Sequence, residues 1–396
     1  MALKDVLVVG PDRSGRSVAI EGGRVVDDAP AVAERLACPD GEIAPGAVCA
    51  HTHLYSGLVR YGMPPPESAP QNFREILERV WWRLDRALDV QSVDLAARDY
   101  IARALLSGVT TLVDHHESPN FIEGSLPILA EACASLGVRA VLCYGASERN
   151  FGRQEGRRGL EACRSVVATS LVRGVVGLHA SFTVSDETIR EAGALARELQ
   201  TVVHVHVAED RADVDDARLR GYVGPLERLR ALGALPVGSI LAHGVHLSPD
   251  QVKRAASASA WFVHNPRSNE GNRVGYASAL SARRRVALGT DGWDPDMAAE
   301  EAALRRLAAE NGDKGVSGRL ATGHALVAER FGAASEPLAP GSLGDLVVRR
   351  DGAILHVVVG GRVVVRDGVL ATGDFERISA HAREEAARLW ARMAEI

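Results

Sequence analysis

Two histidine pairs and one aspartate have the residue types and spacing of a metal site. His51 and His53 form one His-x-His pair, and His204 and His206 form a second. Residues two apart in a β-strand face the same side, so each pair can present two imidazoles to one cation. Asp291, in the segment LGTDGW, adds a hard oxygen donor. Three of these imidazole nitrogens together with the one carboxylate would suit Zn²⁺ or Fe²⁺ and leave a position open for water.

The histidines also concentrate in one part of the chain. Ten of the thirteen lie between residues 51 and 264, each at or near the end of a strand-like segment. They are His51, His53, His115, His116, His179, His204, His206, His243, His246 and His264. Histidines that only satisfy hydrogen bonds in a core would not gather in this way, so we expect the set to line one functional rim.

Eight short apolar runs, rich in β-branched residues and flanked by glycines, predict the strands that would form this rim. They are GAVCA, GVTTLVD, GVRAVLCYG, VVGLHA, TVVHVHVAED, SILAHGVH, AWFVHNP and RVALGTD. Helical patterns separate them: residues 185–199 follow the N-cap Ser185, and residues 248–251 have the form of a capping box. Eight strands alternating with helices over about 250 residues predict an α/β fold, a (β/α)₈ TIM barrel, whose active sites lie at the C-terminal strand ends.

Both chain ends have a different, hairpin-like pattern with turn glycines, and we expect them to pair into one small β-sandwich beside the barrel. The long insertion at 54–108, which holds Trp81 and Trp82, would cover part of the barrel mouth. The domain bounds that we predict are residues 1–45 plus 338–375 for the sandwich, 46–337 for the barrel and 376–396 for a C-terminal amphipathic helix.

Composition indicates an ordinary globular protein: 396 residues, 46% hydrophobic, 24% charged, with a formal net charge of −5. Because no concentrated positive face is evident, we expect neither nucleic acid nor a membrane as a partner. No run approaches the roughly 20 apolar residues of a membrane span, and the start lacks a signal-peptide pattern. Five widely spaced cysteines fit reduced thiols, so we expect a cytoplasmic protein. We also expect it to form a homodimer or higher homo-oligomer and to act on a small molecule.

Longer motifs carry a resemblance to a known family. PGAVCAHTH, HVHVAED, ILAHGVHLS, HNPRSN and LGTDG together resemble the amidohydrolase superfamily, in the branch that contains atrazine chlorohydrolase and the S-adenosylhomocysteine, guanine and cytosine deaminases. LYSGLVRYGMP, ILERVWWRLDRALD, VDHHESPN, LCYGASERN and GLHASFTVSDET are most similar to the SsnA-type aminohydrolases. The similarity covers nearly the whole chain, and it implies a metal-dependent hydrolase.

This resemblance implies which residues bind the metal. His51 and His53 would be ligands, together with Asp291 and, from the second pair, His206 rather than His204. Binuclear members bridge two metals through a carboxylated lysine after strand four, where this chain has His179. We therefore expect one divalent metal ion, with Zn²⁺ preferred and Fe²⁺ as the alternative.

The resemblance also implies three catalytic residues. Glu209 resembles the general acid/base that carries a proton to the leaving group, and His243 the residue that polarises the attacking water or the oxyanion. Asp291 would also receive the proton of the water. The chemistry requires such groups, because metal-bound water has a pKa lowered toward neutrality, the tetrahedral intermediate develops charge, and an amine must be protonated before it departs.

Substrate contacts are predicted from position. His179 occupies the place of a substrate-binding histidine in relatives, and four further residues lie on segments expected to overhang the site: Trp82, His116, Arg149 and Asn150. SsnA-type chains more often carry a glutamate in the strand-three motif, where this chain has Gly145. That difference would enlarge the pocket or change its charge.

We expect the reaction to be hydrolysis of a non-peptide C–N bond, above all deamination of an amino-substituted heterocycle or an amidine. Opening of a cyclic amide and removal of halide, as by a chlorohydrolase, use the same hydroxide chemistry and stay open. Outside enzymes, the alternative is a catalytically silent relative that binds a metal or metabolite. The presence of Glu209, His243 and Asp291 argues against that alternative.

Overall fold

The structure, a computed structural model, describes residues 6–28, 33–255 and 259–396, so residues 1–5 and 29–32 of the predicted sandwich lie outside the described residues. The strands are β1 Val6–Val9, β2 Val18–Glu21, β3 Arg24–Val26, β4 Glu34–Leu36, β5 Glu42–Pro45, β6 Ala47–Thr52, β7 Val109–His116, β8 Arg139–Ala146, β9 Val172–Gly174, β10 Val176–Ala180, β11 Val203–Val207, β12 Ile240–His243, β13 Trp261–His264, β14 Val286–Leu288, β15 Leu346–Arg350, β16 Ala353–Val359, β17 Arg362–Arg366 and β18 Val369–Leu370. The α-helices are α1 Phe73–Ile76, α2 Trp82–Ala87, α3 Val90–Leu106, α4 Ser125–Leu136, α5 Arg153–Cys163, α6 Asp186–Glu198, α7 Arg211–Leu219, α8 Pro225–Ala231, α9 Pro249–Arg254, α10 Pro266–Gly271, α11 Met297–Glu310, α12 Arg319–Phe331 and α13 Phe375–Ala394.

The predicted (β/α)₈ barrel is confirmed. Its parallel strands follow the order β6-β7-β8-β10-β11-β12-β13-β14, and the short β9 pairs with β8 beside this path. β7 and β8 are buried along their whole length, which is why they read as nearly continuous apolar runs. The predicted helix starts also hold: Ser185 accepts a hydrogen bond from Thr188 N, and Ser248 forms a capping box with Gln251.

The barrel closes where β6 meets the segment after β14. Thr52 and Asp291 form a parallel bridge there, and His51 O accepts hydrogen bonds from Thr290 N and Asp291 N at 3.0 and 3.1 Å. A Cβ at Gly289 would lie 2.6 Å from His51 O, so the two segments approach too closely for any other residue. This seam therefore fixes Asp291 beside the first histidine pair.

Both chain ends contribute to two small sheets, of order β3-β2-β1-β4 and β18-β17-β16-β15-β5. β5, from the N-terminal end, pairs antiparallel with β15, with Leu346 opposite Pro45. Apolar side chains of the two sheets, among them Ile20 and Val358, form one buried cluster between them. The predicted β-sandwich is thus confirmed, whereas its domain bounds stay a prediction.

The insertion between β6 and β7 and the last helix pack together over the barrel. The insertion contains α1, a π-helical turn at Leu77–Trp81, α2 and α3. α13 packs on this insertion, where Trp390 Nε1 donates to Tyr61 O. No helix within the described ranges combines the length and the apolarity that a membrane span needs.

We predict that the buried ion pair between barrel and sandwich contributes strongly to stability. Arg139 Nε donates to Asp345 Oδ2 at 2.6 Å and Nη2 to Oδ1 at 2.8 Å, and both residues are buried. Asp345→Asn leaves the Arg139 charge without its partner, so the free energy of unfolding measured in urea should fall by about 3 kcal/mol.

The matched control is Glu42→Gln. It breaks the exposed ion pair between Glu42, at the start of β5, and Arg13, in the loop between β1 and β2. Because solvent screens that pair, its loss should cost less than about 1 kcal/mol. Equal losses for the two variants would contradict the role assigned to burial.

Candidate metal centre

Four side chains converge at the C-terminal rim of the barrel. His51 and His53 come from the end of β6, His206 from β11 and Asp291 from the segment after β14. Asp291 Oδ1 lies 2.8 Å from His53 Nε2 and 3.3 Å from His51 Nε2, and His206 Nε2 lies 3.2 Å from His51 Nε2. Ligand atoms of His51, His206 and Asp291 therefore lie within 4.8 Å of one another, and His53 adjoins this group through its contact with Asp291.

Backbone carbonyl groups orient two of these imidazoles. His206 Nδ1 donates to His179 O at 2.7 Å, and His53 Nδ1 donates to His115 O. A carbonyl oxygen can only accept, so Nδ1 donates in both rings and Nε2 is the atom left to face the other ligands. His51 Nδ1 is paired with His204 Nε2 at 3.0 Å, which places His204 behind a ligand rather than among the ligands.

Burial keeps most of this cluster uncharged. It lowers the pKa of His51 to about 3 and that of His206 well below its ordinary value. Burial also lowers the pKa of His53, but the hydrogen bond with Asp291 and the negative charges of Asp291, Glu117 and Asp114 together outweigh it and raise the pKa to about 9. A proton between His53 and Asp291 occupies the space in which a cation would bind both atoms, and neutral imidazoles with a carboxylate are the donor set that Zn²⁺ takes.

The Asp291 carboxylate is held by its backbone and by a hydroxyl group. Its φ is +54°, a left-handed conformation that is strained for a non-glycine residue, and Ser268 Oγ donates to its Oδ2. His243, at the end of β12, has φ +70°. Both strained residues lie at the site, where the surrounding strands fix them.

Glu209 and His243 lie beside the cluster. His243 Nε2 is 3.6 Å from Glu209 Oε2, and its Nδ1 pairs with Asn269 Oδ1 at 2.8 Å. Burial, and then the charge of Asp291, raise the pKa of Glu209 well above its ordinary value. A carboxyl group in this setting can hold a proton close to neutral pH and deliver it.

A cavity with aromatic walls opens onto these residues. His53, His206, Glu209 and Asp291 border it on the metal side. The walls come largely from the insertion and from the turn after β10, through Phe73, Leu77, Trp81, Trp82 and Phe182. The insertion therefore covers part of the barrel mouth, as its length predicts.

The predicted substrate contacts separate into two groups. His179 and Trp82 line the cavity, whereas His116, Arg149 and Asn150 are not among the described residues that line it. His116 Nε2 pairs with Ser118 Oγ at 2.8 Å, and both the amide N and Nδ2 of Asn150 donate to the Glu155 carboxylate.

Arg149 acts behind the cavity wall. Its Nη2 donates to Asp85 Oδ2 at 2.8 Å and to Glu117 Oε2 at 3.0 Å, and its guanidinium lies over the Trp82 ring, 4.8 Å from the centroid. Any influence of Arg149 on a substrate therefore passes through Glu117 and Trp82.

Sequence reasoning missed Glu117, which lines the cavity directly after β7. The signal was present in VDHHESPN, where a glutamate follows two histidines at the end of a strand. Gly145 lies at the corresponding end of β8, and a Cβ there would clash with His115 Cε1 and lie 2.9 Å from Glu117 Oε1. The space expected at Gly145 is thus taken up by the His115 ring and the Glu117 carboxylate.

Comparison with known proteins shows the family and the fold of this chain. The sequence profile of the Amidohydrolase family matches residues 43–364. The chain belongs to this family. At 28% identity it is similar to 5-methylthioadenosine/S-adenosylhomocysteine deaminase 2 of Archaeoglobus fulgidus, over 94% of each chain. It is 26% identical to the 8-oxoguanine deaminase of Pseudomonas aeruginosa, over 72% of this chain and 68% of that enzyme.

Coverage differs among the relatives. The match to the 5-methylthioadenosine/S-adenosylhomocysteine deaminase of Thermoanaerobacter pseudethanolicus, at 28% identity, takes in 63% of this chain and 57% of that relative.

Among solved structures, an adenosine deaminase from Xanthomonas campestris with bound zinc superimposes with a TM-score of 0.82 at 21% identity, over 98% and 99% of the two chains. Atrazine chlorohydrolase TrzN from Arthrobacter aurescens, complexed with zinc, gives 0.75 at 20% identity, over 97% and 100%. These two likenesses show the fold.

We predict that His206 and His204 differ sharply in their effect on metal content. If His206 is the ligand, His206→Ala should reduce zinc, measured by elemental analysis after dialysis, from about one per chain to near zero. His204 lies behind His51, so His204→Ala should weaken zinc binding only about 10- to 100-fold. His246→Ala, at a strand-end histidine outside the cluster, serves as the control and should keep the metal. A larger loss for His204→Ala than for His206→Ala would reverse the ligand assignment.

Proposed function

We propose that this protein is a metal-dependent aminohydrolase that removes an amino group from a heterocycle or amidine by hydrolysis. The observation that carries the proposal is that His243 shares a cluster of ligand atoms with His51, His206 and Asp291, with Glu209 only 3.6 Å from His243. Glu209 borders one cavity together with His53, His206 and Asp291, and the His243 imidazole beside the Glu209 carboxylate is buried. That combination provides for each proton transfer that hydrolysis of a C–N bond needs.

We assign the metal ligands as His51, His53, His206 and Asp291, for one divalent cation with zinc preferred. Bound there, the cation would supply an activated water as the nucleophile. In a first cluster, the ligand atoms of four residues all lie within 4.8 Å of one another; these residues are His51, His206, His243 and Asp291. The two other clusters found in the described residues share His53 or His206 with the predicted ligand set, which supports a single cation.

Three residues of the chain move or hold protons in this proposal. Asp291 accepts a proton from the attacking water through its carboxylate. Glu209 gives its proton to the departing nitrogen, which its raised pKa favours. The Nδ1 of His243 donates to Asn269 Oδ1, so its Nε2 keeps a lone pair that can accept a hydrogen bond from the attacking water and polarise it.

A flat substrate fits the walls of the cavity. Phe73, Trp81, Trp82 and Phe182 supply aromatic surfaces around it, and aromatic faces stack favourably on planar heterocycles. The similarity to deaminases of adenosine derivatives and of 8-oxoguanine supports the same substrate class. His179 and Trp82 are the substrate contacts that we retain from the sequence.

Location and assembly stay proposals. The five cysteines are all buried free thiols, which supports a reducing compartment, and we propose the cytoplasm. A homodimer or higher homo-oligomer remains our expectation for the assembly.

We predict that Glu209→Gln abolishes turnover without loss of the metal. Wild-type protein loaded with zinc should release ammonia from at least one compound in a panel of aminopurines, aminopterins, aminopyrimidines and aminotriazines. The amide cannot deliver the proton, so the variant should lose about 10²- to 10⁴-fold in rate while its zinc content stays unchanged.

The control for this experiment is Glu187→Gln, an exposed carboxyl group at the start of α6. It should match the wild type in rate and metal content. Chloride release from a chlorotriazine, measured in parallel, separates deamination from dehalogenation. A good substrate that yields no ammonia, or full turnover by Glu209→Gln, would overturn the mechanism.

A further inference from the structure

Glu117 brings a second carboxyl group into the cavity, apart from Glu209. It follows β7, is 3% exposed, and borders the same space as His179 and Trp82. One of its oxygens lies within 4.8 Å of a ring nitrogen of His179 and of His206. A substrate held near the metal ligands would therefore also reach Glu117.

The hydrogen-bonding capacity of this carboxylate is only partly used. Oε2 accepts from Arg149 Nη2 at 3.0 Å, and His179 Nε2 lies 3.7 Å away. Oε1 is buried, and no described residue donates a hydrogen bond of good geometry to it, although His115 Nδ1 is 3.3 Å away. A buried acceptor without a donor is costly, so the site favours a ligand that supplies one.

The charges around Arg149 point the same way. A single guanidinium lies between two buried carboxyl groups, those of Asp85 and Glu117. Burial raises the pKa of Asp85 to about 7, and the charge of Glu117 contributes to that rise. One guanidinium is thus shared between two carboxyl groups, so within the described residues Glu117 has no cation of its own at this position.

We propose that the Glu117 carboxylate binds a second N–H group of the substrate, distinct from the amino group that is hydrolysed. The inference rests on the proposed function, because it places the reacting carbon at the metal centre. It narrows the substrate class to heterocycles that carry two amino groups or a protonated amidine. Glu117 is then a specificity-determining residue, and His179 borders the same part of the cavity.

A second cation is the competing occupant of this position. Glu117 forms possible ligand clusters with His53 and His115, and with His179 and His206. Each cluster borrows a ligand of the proposed metal site, and the Arg149 guanidinium already lies 3.0 Å from the carboxylate. Positive charge at that distance disfavours a further dication and leaves room for a hydrogen-bond donor.

The test compares pairs of compounds that differ by one amino group. The probes are adenine against 2,6-diaminopurine and 4-aminopyrimidine against 2,4-diaminopyrimidine. Equilibrium binding is measured on zinc-loaded Glu209→Gln protein, in which turnover is blocked. The diamino member of a pair should bind about tenfold more tightly or better, as expected for a hydrogen bond to a charged group.

Adding Glu117→Gln should remove this preference and leave zinc content unchanged. The matched control is Asp85→Asn, which also loses a partner of Arg149 but does not line the cavity. That variant should keep the preference. If it loses the preference equally, the effect comes from Arg149 and the inference is overturned.

Three further outcomes also decide against it. Equal binding within each pair, or no binding of any probe, removes the proposed contact, and a fall from two zinc ions to one in Glu117→Gln assigns the position to a cation. Ammonia release by the wild type is scored separately. Its absence defeats the proposed function, whereas its presence with no preference defeats only the role of Glu117.

Discussion

The closure of the barrel between its first and last strands is the constraint on which the site depends. His51 O accepts hydrogen bonds from both Thr290 N and Asp291 N, and Gly289 permits the close approach. Asp291 is thereby held with a left-handed backbone, a strain of about 1–3 kcal/mol that persists because the paired segments fix it. The same seam that completes the sheet thus carries a carboxylate to the first histidine pair.

Asp291, Glu209 and Glu117 all line the cavity, and their surroundings give the three carboxyl groups different properties. Burial raises the pKa of Asp291, but its hydrogen bonds with His51 and His53 outweigh this, so it stays anionic. Burial, and then the charge of Asp291, raise the pKa of Glu209, so it can hold a proton. Glu117 is paired with Arg149. Because their environments differ, carboxyl groups in one pocket can take different roles: one binds a cation, one transfers a proton and one contacts the substrate.

Local patterns predicted the barrel because its strands are largely buried and because some of its helices, such as α6 and α9, begin with a side-chain cap. The capping box at Ser248 and the gathering of histidines at strand ends could be read directly. The preference for His206 over His204 came from a resemblance, and its physical basis is visible only in the fold: one imidazole faces the cluster and the other lies behind His51. The two-residue period of a strand predicts which side chains share a face. It does not predict how far along the barrel axis each of them lies.

By itself, the sequence determined the fold class, the sandwich built from both ends and the set of groups that could bind a cation, because these depend on periodicity and residue type. Only the tertiary structure decided that Arg149 donates hydrogen bonds to Asp85 and Glu117 behind the cavity wall. It also decided that Glu117, together with His115, occupies the space beside Gly145. Those relations join neighbouring strands and loops far apart in the chain. No local pattern contains them, because side-chain packing between elements is settled only when the barrel closes.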